Sequence, residues 1–230
     1  MVMPFYVSPE QMTQDKAEFA RKGIARGKSL VTLEYDGGIA LVAENPYDLT
    51  KIGEIYDRVA FAGVGKYSEF DRLRKIGVQW ADVEGYRFSR EDVRGKALAG
   101  LYSQLIGDEF IRSLKPLEVE IVVAEVGDDS LAGHEGNSIY KIQFDGAIVD
   151  LARFCVIGGS ADQIQRHLEA LYRPGLSQAD AVRLGRDVLQ RAENGAPELP
   201  AENLEVCVLE RRRPGRKFRR LDTDEIRALL

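Results

Sequence analysis

Gly63-Val64-Gly65-Lys66 is the first stretch whose residue types could do chemistry, because glycines set closely before a lysine can cradle a phosphate. The full motif also needs a glycine at 60 and Ser or Thr at 67, where Ala60 and Tyr67 stand. The glycines are therefore read as backbone that lets a strand turn tightly into a helix. Gly158-Gly159-Ser160 is read the same way, as a strand-to-helix turn rather than an anion site. The two histidines lie far apart, His134 in a Gly-rich loop and His167 on a predicted helix, so no set of Ser, His and acid can be assembled. Neither has a second His or Cys at ligand spacing, and no metal or cofactor is expected. Glu91-Asp92 and Asp128-Asp129 are neighbours in sequence and read as helix-start and loop charges, not as a general acid and base. Cys155 and Cys207 each sit in a short apolar run and are expected as buried small hydrophobes.

The most heavily charged segment runs from Glu210 to Arg220 and carries seven basic residues, enough to suggest phosphate contact if it stood alone. Pro214-Gly215 turns it into a hairpin, and the whole chain has a net charge of −5. The segment is read as a solvated turn whose charges face carboxylates or guard a sheet edge, and nucleic acid is not expected as the main partner.

These residues must be positioned by a chain of 230 residues, 44% apolar and 30% charged, long enough to bury a full core as one large domain. No stretch approaches the roughly 20 consecutive apolar residues of a membrane helix, and the start lacks the basic-then-apolar order of a signal peptide, so a cytoplasmic protein is expected.

Ser8-Pro9-Glu10-Gln11 predicts a helix start, with Met12, Phe19, Ala20, Gly23 and Ile24 as its apolar stripe and Gly27 closing it. Leu30–Tyr35 and Ile39–Val42 read as a hairpin turned by Asp36-Gly37-Gly38. A connector carrying Lys51 leads to a central strand over Val59–Val64. Two helices follow, one with Phe70, Leu73, Gly77 and Trp80 on one face, the other with Val93, Ala97, Leu101 and Leu105. Pro116 ends the second helix, and strands resume around Val119–Val123, Ile139–Ile142 and, past the Asp145-Gly146 turn, through Phe154–Ile157. Two further helices carry Ile164, Leu168 and Leu171, then, capped by Ser177, Ala181, Leu184 and Val188. After a loop over 194–200, Leu204–Leu209 and Lys217–Arg220 read as a last strand pair before a short helix from Thr223. Short turns between successive strands favour antiparallel pairing, and the order of elements suits an α+β fold: a four-layer αββα sandwich of two antiparallel sheets flanked by helix pairs, with an N-terminal helix.

Several pieces of this sequence together resemble proteasome α-subunits, most strongly the actinobacterial branch. They are Ser8-Pro9-Glu10, Glu18-Phe19-Ala20-Arg21-Lys22-Gly23-Ile24, Gly27-Lys28-Ser29, Leu41-Val42-Ala43-Glu44-Asn45-Pro46, the run from Lys51 to Arg58, the run from Gly65 to Asp71 and Gly85-Tyr86-Arg87-Phe88. The resemblance covers almost the whole chain and implies the αββα fold of N-terminal nucleophile hydrolases, divided as a pore segment 1–7, an N-terminal helix 8–26 and a core 27–230. In the catalytic relatives the first strand opens on a threonine freed after a glycine, whose own amine serves as base. Here Gly27 is followed by Lys28, while Glu44 and Lys51 resemble the supporting acid and lysine, so the resemblance implies no catalytic residue in this chain. It implies instead a seven-membered α ring stacked on β subunits that gates substrate passage and docks ring-shaped ATPase and ATP-independent activators. Pro4, Phe5, Tyr6 and Val7 are the gate residues so implied, and Lys51, Gly65 and Glu18 the pocket for an activator's terminal carboxylate. Proteins reaching such a ring would be those marked with the small ubiquitin-like tag of the actinobacterial pathway. The alternative is an autonomous hydrolase activated by removal of residues 1–27.

Overall fold

The computed structural model describes residues 8–130, 136–192 and 199–230. The gate residues Pro4, Phe5, Tyr6 and Val7, together with His134 and most of the loop over 194–200, lie outside the described residues.

Helix α1 (Pro9–Ala25) starts as the sequence predicts, with the Ser8 hydroxyl accepting from the Gln11 amide at 3.2 Å. Only its second half meets the core: Ala20 and Ile24 are buried beside Phe144, whereas Met12 and Phe19 are each 45% exposed. The predicted stripe is thus cut short, because the helix crosses the end of the sandwich instead of lying along it.

Strands β1 (Leu30–Tyr35) and β2 (Gly38–Glu44) form the expected hairpin, and both are buried almost throughout. Strand β3 (Ile52–Tyr56), which the sequence reading leaves within a connector, pairs antiparallel with β4 (Val59–Gly65). Helices α2 (Tyr67–Arg87) and α3 (Gly95–Arg112) cover that pair. On α2 the buried residues are Phe70, Leu73, Gly77 and Ala81. On α3 they are Gly95, Leu98, Ala99, Tyr102 and Ile106; of the predicted stripe, Val93 is buried, Leu101 and Leu105 pack partly buried against the same layer, and Ala97 is exposed. The phase is set from outside the helix. The Glu125 carboxylate of strand β5 (Val119–Glu125), 3% exposed, accepts from the Gly95 amide at 2.8 Å and from Arg58 at 3.0 Å, replacing a local cap.

Strands β6 (Ser138–Ile142) and β7 (Ile148–Leu151) complete one sheet in the order β3-β4-β5-β6-β7. At Arg153, whose φ is +76°, the chain turns out of that sheet, and β8 (Phe154–Ile157) joins the other. What reads in sequence as one strand past Gly146 is therefore two, in different sheets. Helices α4 (Ala161–Leu171) and α5 (Gln178–Ala192) cover the second sheet, ordered β10-β9-β2-β1-β8 with β9 (Leu204–Glu210) and β10 (Phe218–Arg220), and α6 (Thr223–Leu229) follows. Leu30, Leu41, Ile52, Ala62, Val122, Cys155 and Cys207 pack between the sheets, and separate apolar layers lie under each helix pair. This is the four-layer αββα arrangement. Among the described residues no helix is long and apolar enough to cross a membrane.

The buried face of α3 sets a stability prediction. Leu98→Ala, at a fully buried site, is expected to cost about 2–5 kcal/mol. Ala97→Ser, on the exposed side, should change stability by less than about 0.5 kcal/mol, both read by denaturant unfolding.

Candidate functional site

The site lies where three strands and two turns converge. The chain leaves α1 through Arg26-Gly27-Lys28 and enters β1, passing so close to β4 that a side chain at Gly27 would meet Val64 at 2.6 Å. Across from it, the Gly158-Gly159 turn brings the Gly159 amide to the Gly27 carbonyl at 3.2 Å, and Gly158 adopts φ +108°. The paired glycines act as the turn that the sequence predicts. A cleft of about 220 Å³ remains, bordered by Gly27, Lys28, Ser29, Glu44, Gly159 and Ser160.

Charge fills this junction in a defined order. The Lys28 ammonium pairs with Glu44 Oε1 at 2.9 Å. Lys51 reaches beneath it and donates to the Lys28 carbonyl at 3.0 Å and the Glu44 carbonyl at 2.7 Å. Burial pulls the Lys51 pKa down to about 8, while Glu205 and Glu44 hold it up and Lys28 works against them. Two of the three ammonium N–H groups are thus committed to main-chain oxygens. The Ser29 hydroxyl, which also borders the cleft, is on a residue 7% exposed and accepts from the Ser160 amide at 3.2 Å. The backbone nitrogen of Lys28 is bonded to Gly27 in a peptide, where its lone pair is delocalised and cannot take up a proton as an amine does.

The structure brings Lys51 and Gly65 towards one end of the sandwich, on the adjacent strand β4 and just before β3: the Gly63 amide donates to the Lys51 carbonyl at 3.0 Å, and Gly65 follows two residues on. Gly65 has φ +113°, and a Cβ there would lie 1.9 Å from the Glu118 carbonyl oxygen. Glu18 stands apart on α1, largely exposed and paired with Lys22 at 2.9 Å. One carboxylate absent from the sequence reading, Glu205, sits directly behind Lys51 and accepts from its backbone amide at 2.9 Å. No spacing in the sequence announces it, because β9 and the β2–β3 connector are about 150 residues apart in the chain, 154 for this bond.

The basic segment behaves as expected of a paired turn. Lys217 meets Asp128 at 3.0 Å, Arg219 meets Glu210 at 3.1 Å, Arg211 meets Asp129 at 3.4 Å, and Arg216 and Arg220 meet Glu54 and Glu205. Both cysteines are buried between the sheets, where burial pushes their thiols up to about 12. His167 lies on α4 and is not among the residues that line the cleft, and among the described residues no cluster of three or more His, Cys, Asp or Glu could hold a metal ion.

Comparison with known proteins gives the family. The profile of the family described as "Proteasome subunit" matches residues 24–209. "Proteasome subunit alpha" of Thermobifida fusca (strain YX) is 50% identical over 231 residues, covering all of this chain and 91% of that protein. The protein of the same name from Arthrobacter sp. (strain FB24) is 51% identical over 236 residues, covering all of this chain and 98% of its own. That of Sanguibacter keddieii is 51% identical over 224 residues, covering 96% of this chain and 86% of the relative.

The left-handed backbone at Gly65 yields a prediction for the site itself. Gly65→Ala forces a Cβ against the Glu118 carbonyl and should lower stability by about 1–3 kcal/mol, measured by thermal and denaturant unfolding.

Proposed function

The chain belongs to the proteasome-subunit family, as an α subunit of the actinobacterial type, and from that premise we propose that it is the non-catalytic member of the core particle that guards access and docks activators. It forms a seven-membered outer ring with copies of itself and stacks on β subunits. Uncovered apolar side chains support assembly: Phe19, Ile111 and Leu114 lie on one face, Tyr86 and Phe88 at the far end of α2, with Leu114 and Tyr86 each 92% exposed. The particle degrades proteins, and this subunit contributes recognition and gating to that work.

The observation that carries this reading is the Lys28–Lys51 junction. Where a catalytic relative would need a freed hydroxyl residue, this chain has a lysine in peptide linkage, and the lysine that would support such a nucleophile is turned onto the Lys28 and Glu44 carbonyls. Its remaining N–H suits the terminal carboxylate of an activator tail, as a charge-assisted hydrogen bond. Gly65 lets a tail's main chain approach, and Glu18 lines the mouth of the pocket once a neighbouring subunit completes it. The rival, an autonomous hydrolase released by cutting after Gly27, would have to break the Gly27–Lys28 peptide, whose Gly27 carbonyl already accepts from the Gly159 amide at 3.2 Å.

Residues 1–7, with Pro4, Phe5, Tyr6 and Val7, supply the gate, their aromatic bulk meeting that of neighbouring copies at the pore. The substrates are proteins carrying the small ubiquitin-like tag of the actinobacterial pathway, delivered by an ATPase ring in the cytoplasm.

Three outcomes are expected. Micrographs of the co-expressed α and β chains should show four-layered cylinders with seven-fold end rings; solitary monomers would refute the ring. Lys51→Ala should leave those cylinders intact yet weaken activator docking about tenfold or more, and native docking should fall as pH rises through about 8, where the ammonium is lost. Activator-stimulated degradation unchanged in the variant would remove the pocket. Deleting residues 1–7 should speed peptide hydrolysis by the assembled particle, and equal turnover in full-length and truncated particles would remove the gate.

A further inference from the structure

Glu205 is 6% exposed on β9 of one sheet, yet two of its side-chain hydrogen bonds run to the start of β3 in the other. Oε2 accepts from the Lys51 amide at 2.9 Å and from Asn45 Nδ2 at 3.1 Å. Oε1 accepts from the Ile52 amide at 3.1 Å and from Arg220, whose second guanidinium nitrogen donates to the Ile52 carbonyl. Two consecutive amides thus find their acceptor in a side chain rather than in a neighbouring strand. The Lys51 carbonyl is taken by the Gly63 amide at 3.0 Å. Both main-chain groups of Lys51 are therefore pinned, one by β4 and one by Glu205. The connector is braced further by Asn45, whose Oδ1 accepts from the Leu49 amide at 3.1 Å and whose own amide donates to the Asn203 carbonyl at 2.7 Å.

We propose that Glu205 is the positioning residue for Lys51: by holding the 45–52 connector from behind, it aims the Lys51 ammonium at the Lys28 and Glu44 carbonyls. The proposal rests on the reading of Lys51 as the acceptor-seeking group of the docking pocket, and extends it from the first contact to what sets that contact. A carboxylate placed only to satisfy two buried amides would do its work without regard to the lysine's charge. Here the carboxylate, hydrogen-bonded to the lysine's own amide, also favours its protonated form, with Glu44 from β2 and against Lys28 from the segment before β1. Arg220 of β10 pairs with the same carboxylate from the far side.

The test uses assembled α and β particles, with selective carbon labelling of lysine to follow the Lys51 ε-methylene, and a tail peptide from the ATPase ring in two forms, one with its free carboxylate and one amidated. In Glu205→Gln, Lys51 should lose its proton at lower pH than in the native particle. The free-carboxylate peptide should bind about tenfold more weakly at pH 8 and with a smaller loss at pH 6, because each tenfold drop in the charged fraction above the transition is a tenfold loss of competent site. Adding Lys51→Arg, whose guanidinium stays charged, should abolish that pH dependence. An unchanged Lys51 titration with an equal loss at both pH values would overturn the proposal and leave Glu205 a purely structural carboxylate. Should Glu205→Gln fail to assemble, Glu205→Asp keeps the charge but withdraws it by one methylene. It should weaken binding at both pH values and shift the Lys51 resonance, and a native resonance with native binding would overturn the proposal. If Glu205→Gln moves the Lys51 titration while the peptide binds no variant, the native particle included, the docking reading falls and the positioning stands.

Discussion

A peptide nitrogen cannot act as the base that a freed amino terminus can, and that single constraint at Lys28 organises the chemistry of this chain. Once the nitrogen is locked into the Gly27–Lys28 bond, the polar groups that surround it need other partners. Lys51 takes the Lys28 and Glu44 carbonyls, and the Lys28 ammonium takes the Glu44 carboxylate. Lys28, Glu44 and Lys51 thereby form one connected set of hydrogen bonds.

The rest of the sandwich makes that closure affordable in free energy. Three glycines let the α1–β1 passage, the end of β4 and the β8–α4 turn approach more closely than side chains would permit, with Gly65 and Gly158 in the left-handed region. Buried carboxylates then stitch the two sheets to their connectors, Glu205 at the start of β3 and Glu125 at the start of α3. Each accepts several donors, the condition under which a buried charge is tolerated. The junction is consequently polar but held on all sides by layers with apolar interiors.

Much of the fold was legible in the sequence, because hairpin turns, helix caps and apolar periodicity are local signals. Ser8 and Ser177 cap α1 and α5 as their positions imply, and the Asp36-Gly37-Gly38 turn joins β1 to β2. What stayed hidden depends on distant partners. β3 is a five-residue edge strand bulged between Glu54 and Tyr56, without a glycine turn to announce it. The sheet change at Arg153 rests on a non-glycine residue at positive φ, and the face of α3 is phased by Glu125 thirty residues away from Gly95. At the site, Lys51 and Glu44 stand out only through resemblance to a family, whereas Glu205 acquires its meaning from a contact that folding alone creates.

The most direct measurement is the intact mass of this chain recovered from particles assembled with its β partner, together with the activity of the chain alone towards fluorogenic peptides. A chain that keeps the Gly27–Lys28 bond and is inert by itself is the expected result. A product that begins at Lys28 or Ser29 and turns over peptide would contradict it, since the nitrogen held here in a peptide would then be a working base.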